Sequence, residues 1–184
     1  VVVHTGLVSR QTAKRLGEAG VDAALIDVIG SDETIREVYH LNATVKDYER
    51  ALEALWESGV PLVPHVLVGL DRGRLRGEFQ ALMMISGHGP SAVVAIALTP
   101  IRGTPMEAVE PPTPEDILRV LLAARLMMPA TPLALGCVRP KRRHRAETDA
   151  LAVRAGVNAI AFPTEEAVQL AESMVLSTAF SPLC

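Results

Sequence analysis

A chain of 184 residues is one domain by the ordinary relation of length to domain number, and 49% hydrophobic against 21% charged residues supplies a sizeable aliphatic core. That composition excludes intrinsic disorder, and a net charge of −3 with a pI near 6.0 excludes a general nucleic-acid binder, which carries a basic surplus. Two cysteines, Cys137 and Cys184, make no disulfide framework, and neither a signal peptide nor a run of about 18 apolar residues occurs, so a cytoplasmic protein without membrane contact is expected.

In chain order, Val1–His4 reads as a strand, and Thr5-Gly6 turns into a helix over roughly Ser9–Ala19, closed by Gly20. Val21–Val28 is a second strand. Ser31-Asp32-Glu33 opens a short helix with acids in its first turn, where the helix dipole favours them. Thr44 caps a longer helix to about Ser58, with Leu52 and Leu55 on its inner face and Gly59 ending it. Val60–Leu70 is the third strand, and its near-continuous apolar character suits a parallel strand covered on both faces. A helix over about Leu75–Ser86 follows, then a fourth strand at Ala92–Leu98 and a loop of turn residues, Thr99–Pro105. Thr113 caps a helix that starts with Pro114 and runs to about Met128. Leu133–Cys137, a helix near Ala146–Ala155, Asn158–Phe162 and a helix from Glu165 complete the alternation.

About six β/α units in 184 residues match the roughly 30 residues of a βαβ repeat, which favours a parallel sheet with helices outside. A closed eight-stranded barrel needs about 200 residues or more, so a barrel here is an incomplete one, short of about two units at its front. Both ends read as cut: the chain opens inside the apolar run Val1-Val2-Val3 and stops on Cys184. A doubly wound open sheet is the alternative, although no Gly-rich fingerprint follows the first strand.

Chemistry gathers at Leu133–Pro140, an apolar run that ends in Cys137, Arg139 and Pro140 and leads into the basic run Lys141–Arg145. In a barrel, the carboxyl end of a strand is the working face. The basic run is either a solvated loop or a binding site for carboxylate or phosphate, and it equally suits docking of an acidic carrier protein. Five histidines on different elements with no i, i+4 pair argue against a zinc site, and His65 reads as a hydrogen-bonded, barrel-lining residue or a substrate contact. Met83-Met84 and Met127-Met128 read as core. Neither a Gly-x-Ser-x-Gly elbow nor a phosphate-binding Gly-Lys-Ser/Thr loop occurs.

The frame Gly6, Ala13-Lys-Arg-Leu16, Ala19-Gly-Val-Asp22, Thr44, Arg50, Glu57-Ser-Gly-Val60, Val68-Gly-Leu70, Arg102-Gly-Thr-Pro-Met106, Ala124–Pro129, Arg139 and Ala155-Gly-Val-Asn158 is similar to the radical S-adenosylmethionine enzymes of the biotin synthase-like group. The resemblance runs from the first strand to the last helix. It implies a single domain over 1–184 that is the carboxyl-terminal portion of a barrel of TIM type, with its third to eighth strands present. It also implies that the Cys-x3-Cys-x2-Cys loop for a [4Fe-4S] cluster lies outside this sequence, where no such motif occurs.

The implied activity is reductive cleavage of S-adenosylmethionine to a 5′-deoxyadenosyl radical that abstracts hydrogen from substrate in cofactor biosynthesis, with sulfur insertion as one form. The resemblance places the cofactor against Asp27, Val68, Gly69, Leu70 and Thr99, and it matches Arg139 to the seventh-strand arginine that helps hold the second cluster of biotin synthase; Arg139 and His65 are the candidate substrate contacts. The implied partners are a small-molecule or carrier-bound substrate and an electron-donor protein, and open sheet edges suit an oligomer. The chain departs from biotin synthase where that enzyme's second cluster takes cysteines: those positions read Val2 and Val63, which argues against a sulfur-donating cluster. Cys137 and Cys184 are the candidate ligands of an auxiliary iron-sulfur cluster, with further ligands outside the chain. Gly136-Cys-Val-Arg-Pro140 also resembles the branch that includes two-component lipoyl synthases. Two other readings stand beside this one. A non-catalytic binding or scaffold partner is one, and an ordinary barrel lyase is the other, though the latter wants a strand-end lysine or paired acids and only Asp27 is at hand.

Overall fold

Six apolar runs pair as parallel strands in the computed structural model, which describes residues 1–181. The elements are β1 (Val2–Thr5), α1 (Arg10–Glu18), β2 (Ala23–Val28), α2 (Asp32–Glu37), α3 (Val45–Glu57), β3 (Leu62–Val68), α4 (Glu78–Ser86), β4 (Val93–Ala97), α5 (Pro114–Met127), β5 (Leu133–Leu135), α6 (Arg143–Arg154), β6 (Ala159–Ile160) and α7 (Glu165–Ser173). The strands lie in the sheet in sequence order, each parallel to the next. A doubly wound sheet would reverse its winding partway. This sheet winds one way throughout, as an incomplete TIM-type barrel does.

Local signals account for the helix starts. Ser9 accepts a hydrogen bond from the Thr12 amide at 3.1 Å, Ser31 from Thr34 at 3.2 Å and Thr113 from Asp116 at 3.1 Å. At α3 the Asp47 carboxylate accepts from the Thr44 amide at 2.8 Å, so the chain is held at its point of entry. Gly20 and Gly59 end α1 and α3 at φ of +68° and +73°, a conformation that costs glycine little.

Alternation along the strands separates two environments. Ala24, Ile26 and Val28 of β2, Leu62, Val66 and Val68 of β3, and Val93, Ala95 and Ala97 of β4 are buried beneath the helices. They meet Tyr48, Leu52 and Leu55 of α3 and Ile117, Val120, Leu121 and Ala124 of α5, whose three- and four-residue spacing makes one apolar stripe. The other strand face carries His4, Leu25, Asp27, Val63 and His65 and stays half-buried or exposed among the described residues. Expected burial of β3 on both faces is therefore seen on its helix side only, because the described strands leave β1 and β6 as separate edges.

Other boundaries shift for local reasons. Asp71 and Arg74 form a tight bridge, so α4 begins at Glu78 rather than near Leu75. Helix α6 begins at Arg143, so most of the basic run opens a helix instead of forming a loop. Of the methionine pairs, Met84 and Met128 are core while Met83 and Met127 are exposed, since adjacent helical residues cannot share a face.

Candidate functional site

On the half-open face, β1, β2 and β3 carry His4, Asp27 and His65. Register brings them together: His4 pairs with Leu25 across β1 and β2, and Asp27 pairs directly with His65 across β2 and β3. His4 Nε2 lies 3.4 Å from Asp27 Oδ1, and the imidazole centroids of His4 and His65 are 5.3 Å apart. Each of the three residues offers one donor atom, and those atoms all lie within 4.8 Å of one another.

The surroundings leave this group unsatisfied. Asp27 Oδ1 and His65 Nδ1 are buried without a hydrogen-bond partner. Desolvation pushes the His65 imidazole below its ordinary 6.5, with the charge of His4 acting in the same direction. The Asp27 charge and the Val63 carbonyl oppose that shift. Burial, then the same Asp27 charge, pushes both the Tyr39 and Tyr48 phenols up, so two tyrosines sense this carboxylate. Imidazoles, a carboxylate and phenols together can hold a cation or accept and donate hydrogen bonds to a polar ligand.

The other expected residues are placed differently. Val68 is fully buried, and the Gly69 amide donates to Glu78 Oε1 at 2.8 Å. Gly69 takes φ of +74°, and a side chain there would meet the Pro112 ring at 2.6 Å, so this turn is packed against a loop of its own chain. Leu70 is half-buried in the same turn. Thr99 lies beyond the end of β4, its hydroxyl donating to the Ala97 carbonyl at 3.3 Å.

Arg139, expected to contact substrate, is closed inside the protein with its side chain fully buried. Its guanidinium grips Asp149 through Nε at 2.7 Å and Nη2 at 3.0 Å, and also donates to the carbonyls of Gly136 at 2.6 Å and Phe162 at 3.2 Å. Four of its five N–H donors are thus taken internally, which makes Arg139 a structural clamp between β5, α6 and the chain after β6. Cys137 is exposed and free, two strands beyond the His4–Asp27–His65 group, and Cys184 lies outside the described residues. In the basic run, Arg145 donates to the Phe162 carbonyl at 2.8 Å, Arg143 pairs with Glu147 at 2.8 Å, and His144 bonds the Pro112 carbonyl at 2.8 Å.

Two residues escaped the sequence reading, His4 and Glu78. His4 appeared only as a strand end, although a lone polar residue closing an apolar run was the available signal. The same signal marked Asp27 and His65, but nothing in one sequence says that three such residues line up. His65 lines the inner face as expected, yet its Nδ1 lacks the expected hydrogen bond. Glu78 lay inside the helix expected over about Leu75–Ser86 and was not singled out. It is buried, with Oε1 on the Gly69 amide and Oε2 without a partner, and desolvation raises its carboxyl against the hydrogen bonds that lower it.

Comparison with known proteins agrees with this fold. Residues 96–174, from β4 to the end of α7, match the Biotin and Thiamin Synthesis associated domain. Biotin synthase of Halorhodospira halophila is 32% identical over 162 residues, which is 86% of this chain and 48% of that protein. Biotin synthase of Zymomonas mobilis is 31% identical over 163 residues, covering 86% and 47%. The chain thus spans about half the length of the curated relatives it matches. Among solved structures, the hydrogenase maturase HydG superposes with a TM-score of 0.66 at 17% identity, over 87% of this chain and 37% of that one. Methylornithine synthase gives 0.65 at 16% identity, over 97% and 58%. HMG-CoA lyase from Brucella melitensis gives 0.59 at 13% identity, over 95% and 67%, and shares the fold. With strands wound in one direction around a half-open face, the chain shares the fold of these structures and is similar to the biotin synthase-like group of radical S-adenosylmethionine enzymes.

Proposed function

We propose that this chain forms the substrate-facing part of a radical S-adenosylmethionine enzyme of cofactor biosynthesis. The observation that carries the reading is Asp27, an inward-facing carboxylate at the carboxyl end of a parallel strand whose Oδ1 is buried without a partner. Such an atom costs about 1–3 kcal/mol when left unsatisfied, and a ligand ammonium or ribose hydroxyl relieves that cost. Asp27 fits a role as acceptor for S-adenosylmethionine, and His65, paired with it across the strands, fits a contact to substrate on the same face. Bound S-adenosylmethionine would supply the radical chemistry, while these side chains orient it.

The residues present do not fit the radical [4Fe-4S] cluster, since two cysteines 47 positions apart (184 − 137) cannot make a Cys-x3-Cys-x2-Cys loop. On this reading that loop and the electron donor's docking surface belong to other segments of the protein. The Arg139 guanidinium, with four of its five N–H donors bonded inside the protein, serves to hold β5, α6 and the chain after β6 in place, leaving the substrate to the His4–Asp27–His65 side.

The test is anaerobic iron and acid-labile sulfide content, with the visible spectrum, on the longest native form of the protein. About four irons per chain are expected, unchanged by Cys137→Ala. Iron beyond that number and lost on Cys137→Ala or Cys184→Ala would establish an auxiliary cluster, and absence of iron would overturn the radical reading.

A further inference from the structure

We infer that His4, Asp27 and His65 form a mononuclear site for a divalent transition-metal ion, with open coordination positions toward the half-open face of the sheet. The three residues come from adjacent strands, so the rigid sheet and not a loop holds them. Two imidazoles and one carboxylate are the donor set that zinc and iron(II) take when three protein ligands leave positions free.

The distances suit such an ion. Metal–ligand bonds of about 2.0–2.2 Å set neighbouring donors roughly 3–3.6 Å apart, and His4 Nε2 and Asp27 Oδ1 stand at 3.4 Å. The donors of the whole group lie within 4.8 Å, a spread that small rotations of the side chains close. An ordinary His–Asp ion pair does not account for the group. It would leave His65 Nδ1 buried and unpaired, and here Asp27 Oδ1 too lacks a hydrogen bond despite its proximity to His4. A single cation resolves the disposition of all three side chains. His4 is half exposed while Asp27 and His65 are partly covered, so an ion can enter from the open side and keep positions for an oxygen or nitrogen donor of substrate.

This inference stands on the strand geometry and shares Asp27 Oδ1 with the S-adenosylmethionine reading. The two histidines separate them: loss of His4 removes the metal and leaves S-adenosylmethionine binding in place.

The experiment is titration of the full chain with cobalt(II), followed by its visible ligand-field absorption and by calorimetry, with no S-adenosylmethionine present. One equivalent is expected to bind, to be displaced by zinc, and to weaken about tenfold or more in each of His4→Ala, Asp27→Asn and His65→Gln, each checked for native circular dichroism. Half-exposed His4 keeps the test valid if the His65 variant unfolds. Binding is expected to persist in Cys137→Ser. The inference is overturned by no saturable binding, by binding that survives His4→Ala, or by binding lost with Cys137→Ser.

Discussion

Two charged groups sit at the carboxyl ends of the strands, and they differ in how far the protein satisfies them. Around β5 and α6, Arg139 and Asp149 are fully buried and bonded to each other at 2.7 and 3.0 Å, and Asp149 also accepts the Thr164 amide at 2.9 Å. Across β1–β3, His4, Asp27 and His65 approach one another yet leave two buried polar atoms without partners. A nearly saturated and fully buried group has little capacity left for a ligand and serves the fold. An unsaturated one retains that capacity at the expense of stability, as functional sites do.

The largest expected effect lies in the saturated group. Arg139→Ala leaves Asp149 as an uncompensated buried charge and is expected to destabilise the chain by about 3–5 kcal/mol, read from urea unfolding. Replacing both residues, as Arg139→Met with Asp149→Leu, is expected to recover much of that loss. Failure of the double variant to recover would mean that the Gly136, Phe162 and Thr164 bonds matter more than the ion pair.

Next in size is a gain beside the same group. Arg142 caps α6 at φ of +60° with no side-chain hydrogen bond, and it puts positive charge at a helix start. Arg142→Gly relieves both penalties and is expected to raise stability by about 1 kcal/mol in the same unfolding assay.

Glu78 is an intermediate case, with one oxygen bonded and the other not. Burial raises its carboxyl above the ordinary 4.5, so the folded chain holds a proton that the unfolded chain releases. The resulting stabilisation is complete below that ordinary value and is lost as pH rises through the raised one. Glu78→Gln is expected to flatten that part of the stability–pH curve while keeping the acceptor for the Gly69 amide. An unchanged slope would show that Glu78 titrates normally.

Much of the architecture was legible because its signals are local. Ser9, Ser31, Thr44 and Thr113 announced helix starts, Gly20 and Gly59 announced ends, and the spacing of apolar runs announced the repeating unit. Six strands in sequence order then follow from right-handed crossovers between parallel neighbours. The site was half legible. Asp27 and His65 stood out as polar residues in apolar strands, but their partnership with His4 depends on a register that joins residues 61 positions apart (65 − 4). Arg139 stood out for the wrong reason: its prominence after an apolar run is equally the mark of a buried clamp, and only Asp149, ten residues on, decides between them.

The smallest expected change in stability belongs to the residue on which function rests. Asp27→Asn, on an unsaturated face, is expected to shift stability by no more than about 0.5 kcal/mol. The most direct measurement is equilibrium dialysis of S-adenosylmethionine against the iron-loaded native protein and its Asp27→Asn variant. The account predicts binding at least about tenfold weaker in the variant, the loss of one charge-assisted hydrogen bond, with an unchanged unfolding midpoint. Equal binding by both proteins, or a loss of stability as large as that of Arg139→Ala, would contradict it.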